Sequence, residues 1–310
     1  MPKATPSLLS VILPPIAAGL AYAAAKSLGR GESWGGLYWQ SPFMFSALAG
    51  LLMAVALRPV LERVPWSRGM AFAVALGLFL LLGPVAAWSE ARLAAALGLM
   101  GFPYALARDA LPELLTAWVA AGLLAWLYRP RGGEITFADM APRVRRRGKG
   151  LLARIAALGL AAAAVAVALG LLDGLITRSL PGQPIFPAQP WLRASLSWAE
   201  PSPGDGAPGA LGLAATGALL AVSWLRGMAL ALALLPIALV LRGRRAQMAL
   251  VFTILPFVIG DFAPLMESQP FPSQAWLMLR VGLSGLGAVA VGGAAAWLIA
   301  LAPPEGPPPG

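Results

Sequence analysis

A chain of 310 residues that is 59% hydrophobic and only 12% charged, with a mean hydropathy of +0.75, is far from the make-up of a soluble domain, whose charged share is about 25%. The absence of any Cys or His excludes disulfides, thiolate and imidazole chemistry, haem or copper held by those residues, and the usual tetrahedral zinc, so no metal or other cofactor is expected. The net charge of +10 is spread over separate loops rather than gathered on a folded basic module, which argues for membrane topology and against nucleic acid.

In chain order, apolar stretches of about 20 residues, the length that crosses a bilayer, occur at 7–27, 39–60, 68–89, 108–128, 151–173, 217–241, 246–266 and 274–301. They predict an all-α integral membrane protein with eight transmembrane helices. The first stretch has only Lys3 as a basic flank and is followed by bulky residues, so a true span is expected there rather than a cleaved leader.

Assigning alternate loops to opposite sides places Arg58, Arg63, Arg68, Arg129, Arg131, the run from Arg143 to Lys149 and the cluster Arg242, Arg244 and Arg245 together on one side. Lys26, Arg30, Arg92, Arg108, Arg178 and Arg193 fall on the other. This asymmetry predicts a multi-pass protein of a bacterial inner membrane with both termini in the cytoplasm. The run RVRRRGKG, from Arg143 to Gly150, reads first as an orientation signal and second as a patch for anionic lipids, each basic residue there contributing about 1 kcal/mol.

A displaced copy of one segment is also visible. Gly50, Pro59, Gly83, Ala86 and Glu90 recur 177 positions later as Gly227, Pro236, Gly260, Ala263 and Glu267. Beyond them Phe102-Pro103 answers Phe271-Pro272, and Ala125-Trp126-Leu127 answers Ala296-Trp297-Leu298. The expected layout is a first four-helix repeat over 1–128, a basic cytoplasmic linker over 129–150, a second repeat over 151–301 and a Pro-rich tail over 302–310. Four spans per copy is an even number, so both copies enter from one side and the repeat is parallel. Residues 176–210 are rich in Pro and Gly and read as an external loop within the second copy, with Trp191 and Trp198 as headgroup anchors.

Ionisable side chains at membrane depth cost about 2.5–3.5 kcal/mol each on insertion scales, so they mark the places where function is expected. Arg226, Asp261 and Arg280 are the three that stand out, all within spans of the second copy and all toward its outer side. Two guanidinium groups and one carboxylate at one depth make a partly paired cluster with N–H donors for an anionic group. The bland alternative is an ion pair that fixes helix register. Gly260-Asp261 has the dipeptide of intramembrane aspartyl proteases, but Val258 stands where their first glycine belongs and no second carboxylate lies at that depth in a comparable motif. No catalytic constellation is found, and no enzyme is expected.

The stretches WLRGMALALALLP from Trp224, FVIGDFAPLM from Phe257 and FPSQAWLMLRVGLSGLG from Phe271 resemble a family of uncharacterised bacterial polytopic membrane proteins over roughly residues 217–301. The resemblance implies a multi-pass helical fold and no particular activity. That family often continues after the last arginine with a histidine and an acid, whereas Gly282, Leu283 and Ser284 follow Val281 in this chain. Two functional expectations remain. One is transport or permeation of a small anionic or polar solute past Arg226, Asp261 and Arg280. The other is a non-catalytic structural subunit or assembly factor of a larger membrane complex, alone or as a homodimer.

Overall fold

The structure, a computed structural model, describes residues 8–30, 41–85, 111–128, 135–146, 148–179, 208–241, 245–267 and 274–299. Among them the only regular elements are helices: α1 (Leu8–Arg30), α2 (Pro42–Arg63), α3 (Arg68–Leu82), α4 (Leu111–Leu127), α5 (Phe137–Arg146), α6 (Gly148–Ser179), α7 (Pro208–Val240), α8 (Arg245–Pro256) and α10 (Gln274–Leu298). Between the last two, a π-helical turn (Phe257–Phe262) and the short α9 (Ala263–Glu267) prolong α8. Glu90, Phe102-Pro103, Trp191, Trp198, Phe271-Pro272 and the 302–310 tail lie outside the described residues.

Local chemistry sets the helix starts. Ser41 and Ser67 stand in extended conformation before α2 and α3, and their hydroxyls accept the N–H groups of Met44 and Met70 at 3.3 and 3.2 Å. Pro42 opens α2 at a position whose N–H has no helical acceptor in any case.

Among the described residues, six helices are long and apolar enough to cross a membrane: Val11–Gly29, Pro42–Arg63, Gly150–Leu172, Leu220–Val240, Ala246–Met266 and Leu277–Leu298. Six such helices in one chain mark a multi-pass membrane protein. The apolar α3 and α4 are shorter, at 15 and 17 residues. The 176–210 loop is trimmed at both ends. Residues 176–179 hold no Gly or Pro, so α6 runs on to Ser179, and α7 begins at Pro208 itself. The 129–150 linker is not plain loop either, because it holds α5 and the start of α6.

α1 packs against α2 and α4, and α3 against α4; farther on, α6 packs against α7 and α10, and α8 against α10. The two groups meet where α3 lies on α7 and where α2 lies on α9. A continuous apolar core runs through both, from Leu57, Leu61 and Leu78 to Leu234, Ile237 and Phe252. Close crossings need glycine. A Cβ on Gly50 would lie 3.1 Å from the Cα of Gly19 on α1, and a Cβ on Gly227 would lie 2.8 Å from the Cα of Gly159 on α6.

One polar cluster repairs a break in α1. Pro15 has no N–H, so the carbonyl of Val11, four residues earlier, loses its helical donor. Arg58 of α2 supplies one, its Nη1 donating to Val11 O at 2.8 Å while its Nε donates to Glu62 at 3.0 Å. The Tyr128 ring lies 5.9 Å from the guanidinium carbon, and its hydroxyl donates to Ala54 O at 3.3 Å. Arg58→Met is therefore expected to lower stability by about 1–3 kcal/mol, the cost of an enclosed acceptor left without a donor. Denaturant unfolding in detergent micelles measures this, and an unchanged midpoint would contradict the role assigned to Arg58.

α5 has its own start signal. Thr136 precedes it, and Asp139 reaches back to accept both the Thr136 N–H and the Thr136 hydroxyl at 2.8 Å. These bonds, the backbone one first, hold the Asp139 carboxyl below its ordinary range. A lowered carboxyl pKa adds stability above its unfolded value and loses it as pH falls through the folded one. The protection of the amides over 137–146, measured against their intrinsic exchange rates, should thus be greater at neutral pH and fall below about pH 4. Asp139→Asn should show the lowered protection already at pH 7.

Candidate functional site

The site is built on a fault in one helix. Pro256 cannot donate to the carbonyl of Phe252, and the turn that follows widens into the π segment, with Ala263 N–H bonded to Val258 O five residues back. Single π turns recur at functional sites because they re-aim side chains within an otherwise regular helix. Here the turn carries Gly260 and Asp261.

Its backbone comes close to the end of α3. A Cβ on Gly260 would lie 3.4 Å from the carbonyl oxygen of Leu82, and the next residue, Gly83, closes α3 by donating its N–H to Phe79 O at 3.1 Å. Two helix irregularities therefore face each other across the junction of the two helix groups.

Asp261 Oδ1 stands 3.7 Å from Arg226 Nη2 on α7. That distance makes an ion pair without a direct hydrogen bond, for which about 3.2 Å is the limit. Both partners are partly open, with side-chain exposures of 42% for Arg226 and 30% for Asp261. Arg226 lies six residues inside its span from Leu220, and Asp261 five residues inside its span from Met266. At 1.5 Å per residue these are comparable depths of about 9 and 7.5 Å.

Arg280 belongs to the same end of the bundle. α10 runs antiparallel to α8 and its π turn, with Gly292 against Thr253 and Gly285 against Phe257. Extending that register by five residues brings Arg280 to the level of Asp261. Its side chain is half-buried. Arg226 and Asp261 thus form an ion pair, and Arg280 lies at their level on the adjacent helix.

Lys26 was missed. Charge counting assigns it to an external loop, yet it lies within α1 and is the buried charged residue among those described, at 6% exposure, with its ammonium 5.6 Å from the centre of the Tyr22 ring. Ser27, Ser46 and Thr116 are buried on α1, α2 and α4, the helices that pack together there. The predicted span over 7–27 already holds Lys26, but nothing in that run shows that it faces the neighbouring helices. Among the described residues no group of His, Cys, Asp or Glu is arranged to hold a metal ion.

Comparison with known proteins returns no matching family model, no matching curated protein and no matching solved structure.

Proposed function

We propose that the chain is a membrane transport or permeation protein for a small anionic or polar solute, formed by eight spans in two parallel four-helix repeats around an axis along the membrane normal. α1 to α4 form the first repeat and α6 to α10 the second, with α8 to α9 counted as one rod. Support for the repeat comes from packing. The first helix of each group lies on the second and the fourth, and the third on the fourth; across the junction, the third helix of one group meets the second of the other, both ways round. Gly50 and Gly227, matched in sequence, occupy the same tight crossing in each group. Trp126 and Trp297, also matched, are both turned outward, at 62% and 72% exposure. Gly260, matched with Gly83, approaches Leu82, the residue before Gly83.

The observation that carries the functional reading is the Arg226–Asp261 pair, partly open at membrane depth and next to the broken turns at the junction. Open charge at that depth is far too costly against hydrocarbon and calls for a water-filled approach. With Arg280 at the same level on the adjacent helix, two positive charges stand against one negative charge, and such a field suits a solute carrying negative charge.

The test is flux into vesicles that hold the purified protein, across a panel of chloride, nitrate, sulfate, phosphate and short carboxylates. Arg226→Gln with Arg280→Gln should lower flux of the favoured solute about a hundredfold or more, the loss of two charge-assisted contacts. Flux equal to that of empty vesicles for the unaltered protein, together with a stoichiometric membrane partner after mild extraction, would favour the structural-subunit reading instead.

A further inference from the structure

α5 gives shape to the basic stretch between the two helix groups. Met140 is buried in the core and Val144, one turn on, packs against it, as does Ile135 just before the helix. Beside this inward stripe one edge stays open. Phe137, Ala141 and Arg145 follow one another at four-residue spacing, which aligns them in a single row, and all three are exposed, Phe137 by 59%.

Both ends of α5 are tied to the rim of the membrane-crossing helices. Before it, Ser67 N–H donates to Ile135 O at 2.9 Å and Ile135 N–H to Pro65 O at 2.6 Å, fastening it to the α2–α3 turn around the enclosed Trp66. After it, Arg146 precedes Gly150, where the next span begins, by four residues. A helix held at both ends in this way stays beside the ends of the membrane-crossing helices.

We propose that this edge of α5 binds acidic phospholipid headgroups. Phe137 enters the boundary between headgroups and acyl chains, and Arg145 pairs with a lipid phosphate. The charge balance favours acidic over neutral lipid: residues 137–149 hold Arg143, Arg145, Arg146, Arg147 and Lys149 against Asp139 alone. Asp139 is moreover engaged by Thr136. One exposed phenylalanine beside a dense positive run suits a headgroup layer. It offers far less apolar surface than the roughly 1,000 Å² a protein partner requires.

The cysteine-free chain allows a clean test. Ala141→Cys, in the middle of the row, carries an environment-sensitive fluorophore in the full-length protein in vesicles, with doxyl-labelled phosphatidylglycerol or doxyl-labelled phosphatidylcholine at equal mole fraction. Stronger quenching by phosphatidylglycerol is expected, and Arg145→Gln should reduce the preference about fivefold, whereas Arg143→Gln, on the opposite flank of the helix, should reduce it less. The corresponding lysine variants should keep most of it. Equal quenching by the two lipids, or none by either, would overturn the proposal. If the glutamine variants fail to insert, a salt titration of the labelled parent decides. A phosphatidylglycerol preference that falls as salt rises supports the assignment, and one unaffected by salt overturns it.

Discussion

Gly227→Leu is expected to leave almost no folded protein, and Gly50→Leu to do the same. At position 227 a Cβ would lie 2.6 Å from the Cβ of Ala162, 2.8 Å from the Cα of Gly159 and 3.0 Å from the carbonyl oxygen of Leu158. At position 50 it would lie 2.6 Å from the Cβ of Tyr22 as well as against Gly19. These are backbone and Cβ atoms that cannot rotate away, so the helices themselves must separate. In lipid, such close backbone contact is a principal source of helix association. Even Gly227→Ala should cost about 1–3 kcal/mol through overpacking. Gly217 and Gly282, where nothing lies within 4 Å of an added Cβ, should accept alanine without loss. Thermal unfolding of the four purified alanine variants, with size-exclusion elution of the leucine ones, makes the comparison. Matching losses at 50 and 227 are what a duplicated helix crossing requires, and tolerance at either would break the equivalence.

Exchanging the two charges of the ion pair should separate structure from solute handling. Arg226→Asp sets two carboxylates against each other across the same contact and Asp261→Arg sets two guanidinium groups against each other, so either change alone should depress folded yield. The double exchange restores opposite charges and should restore yield. Flux should nevertheless stay about a hundredfold down, because the guanidinium that meets the solute has moved to another helix and small displacements of a positioning group carry penalties of that order. Recovery of both yield and flux would mean that the pair serves helix register alone.

Much of this architecture was legible because lipid leaves so few options. Apolar runs of bilayer length must become helices, and the six long spans fall within a few residues of the runs that predict them. The meeting of Arg226 with Asp261 was legible for a related reason: charges at equal depth on neighbouring spans have no better partner than each other. Other features lay below that resolution. Pro256 is plainly visible in the sequence, but whether a proline kinks a helix or widens its next turn depends on packing against Leu82 and α10. α5 was hidden because its arginines dominate the charge count while its inward stripe, Met140 and Val144, is two residues wide. Lys26 was assigned by loop bookkeeping, which counts charges and cannot register which face of α1 they occupy.

The reading of Arg226, Asp261 and Arg280 as the lining of a water-filled passage is tested most directly by placing the single cysteine Asp261→Cys in the otherwise cysteine-free chain. Its reaction with membrane-impermeant thiosulfonates, one anionic and one cationic, is then followed in sealed vesicles. The passage predicts labelling from the outer side, faster with the anionic reagent because Arg226 now faces a thiol in place of the Asp261 carboxylate, and slowed by the transported solute. A thiol that stays inert in intact vesicles yet reacts once the protein is unfolded, or one that prefers the cationic reagent, would contradict it.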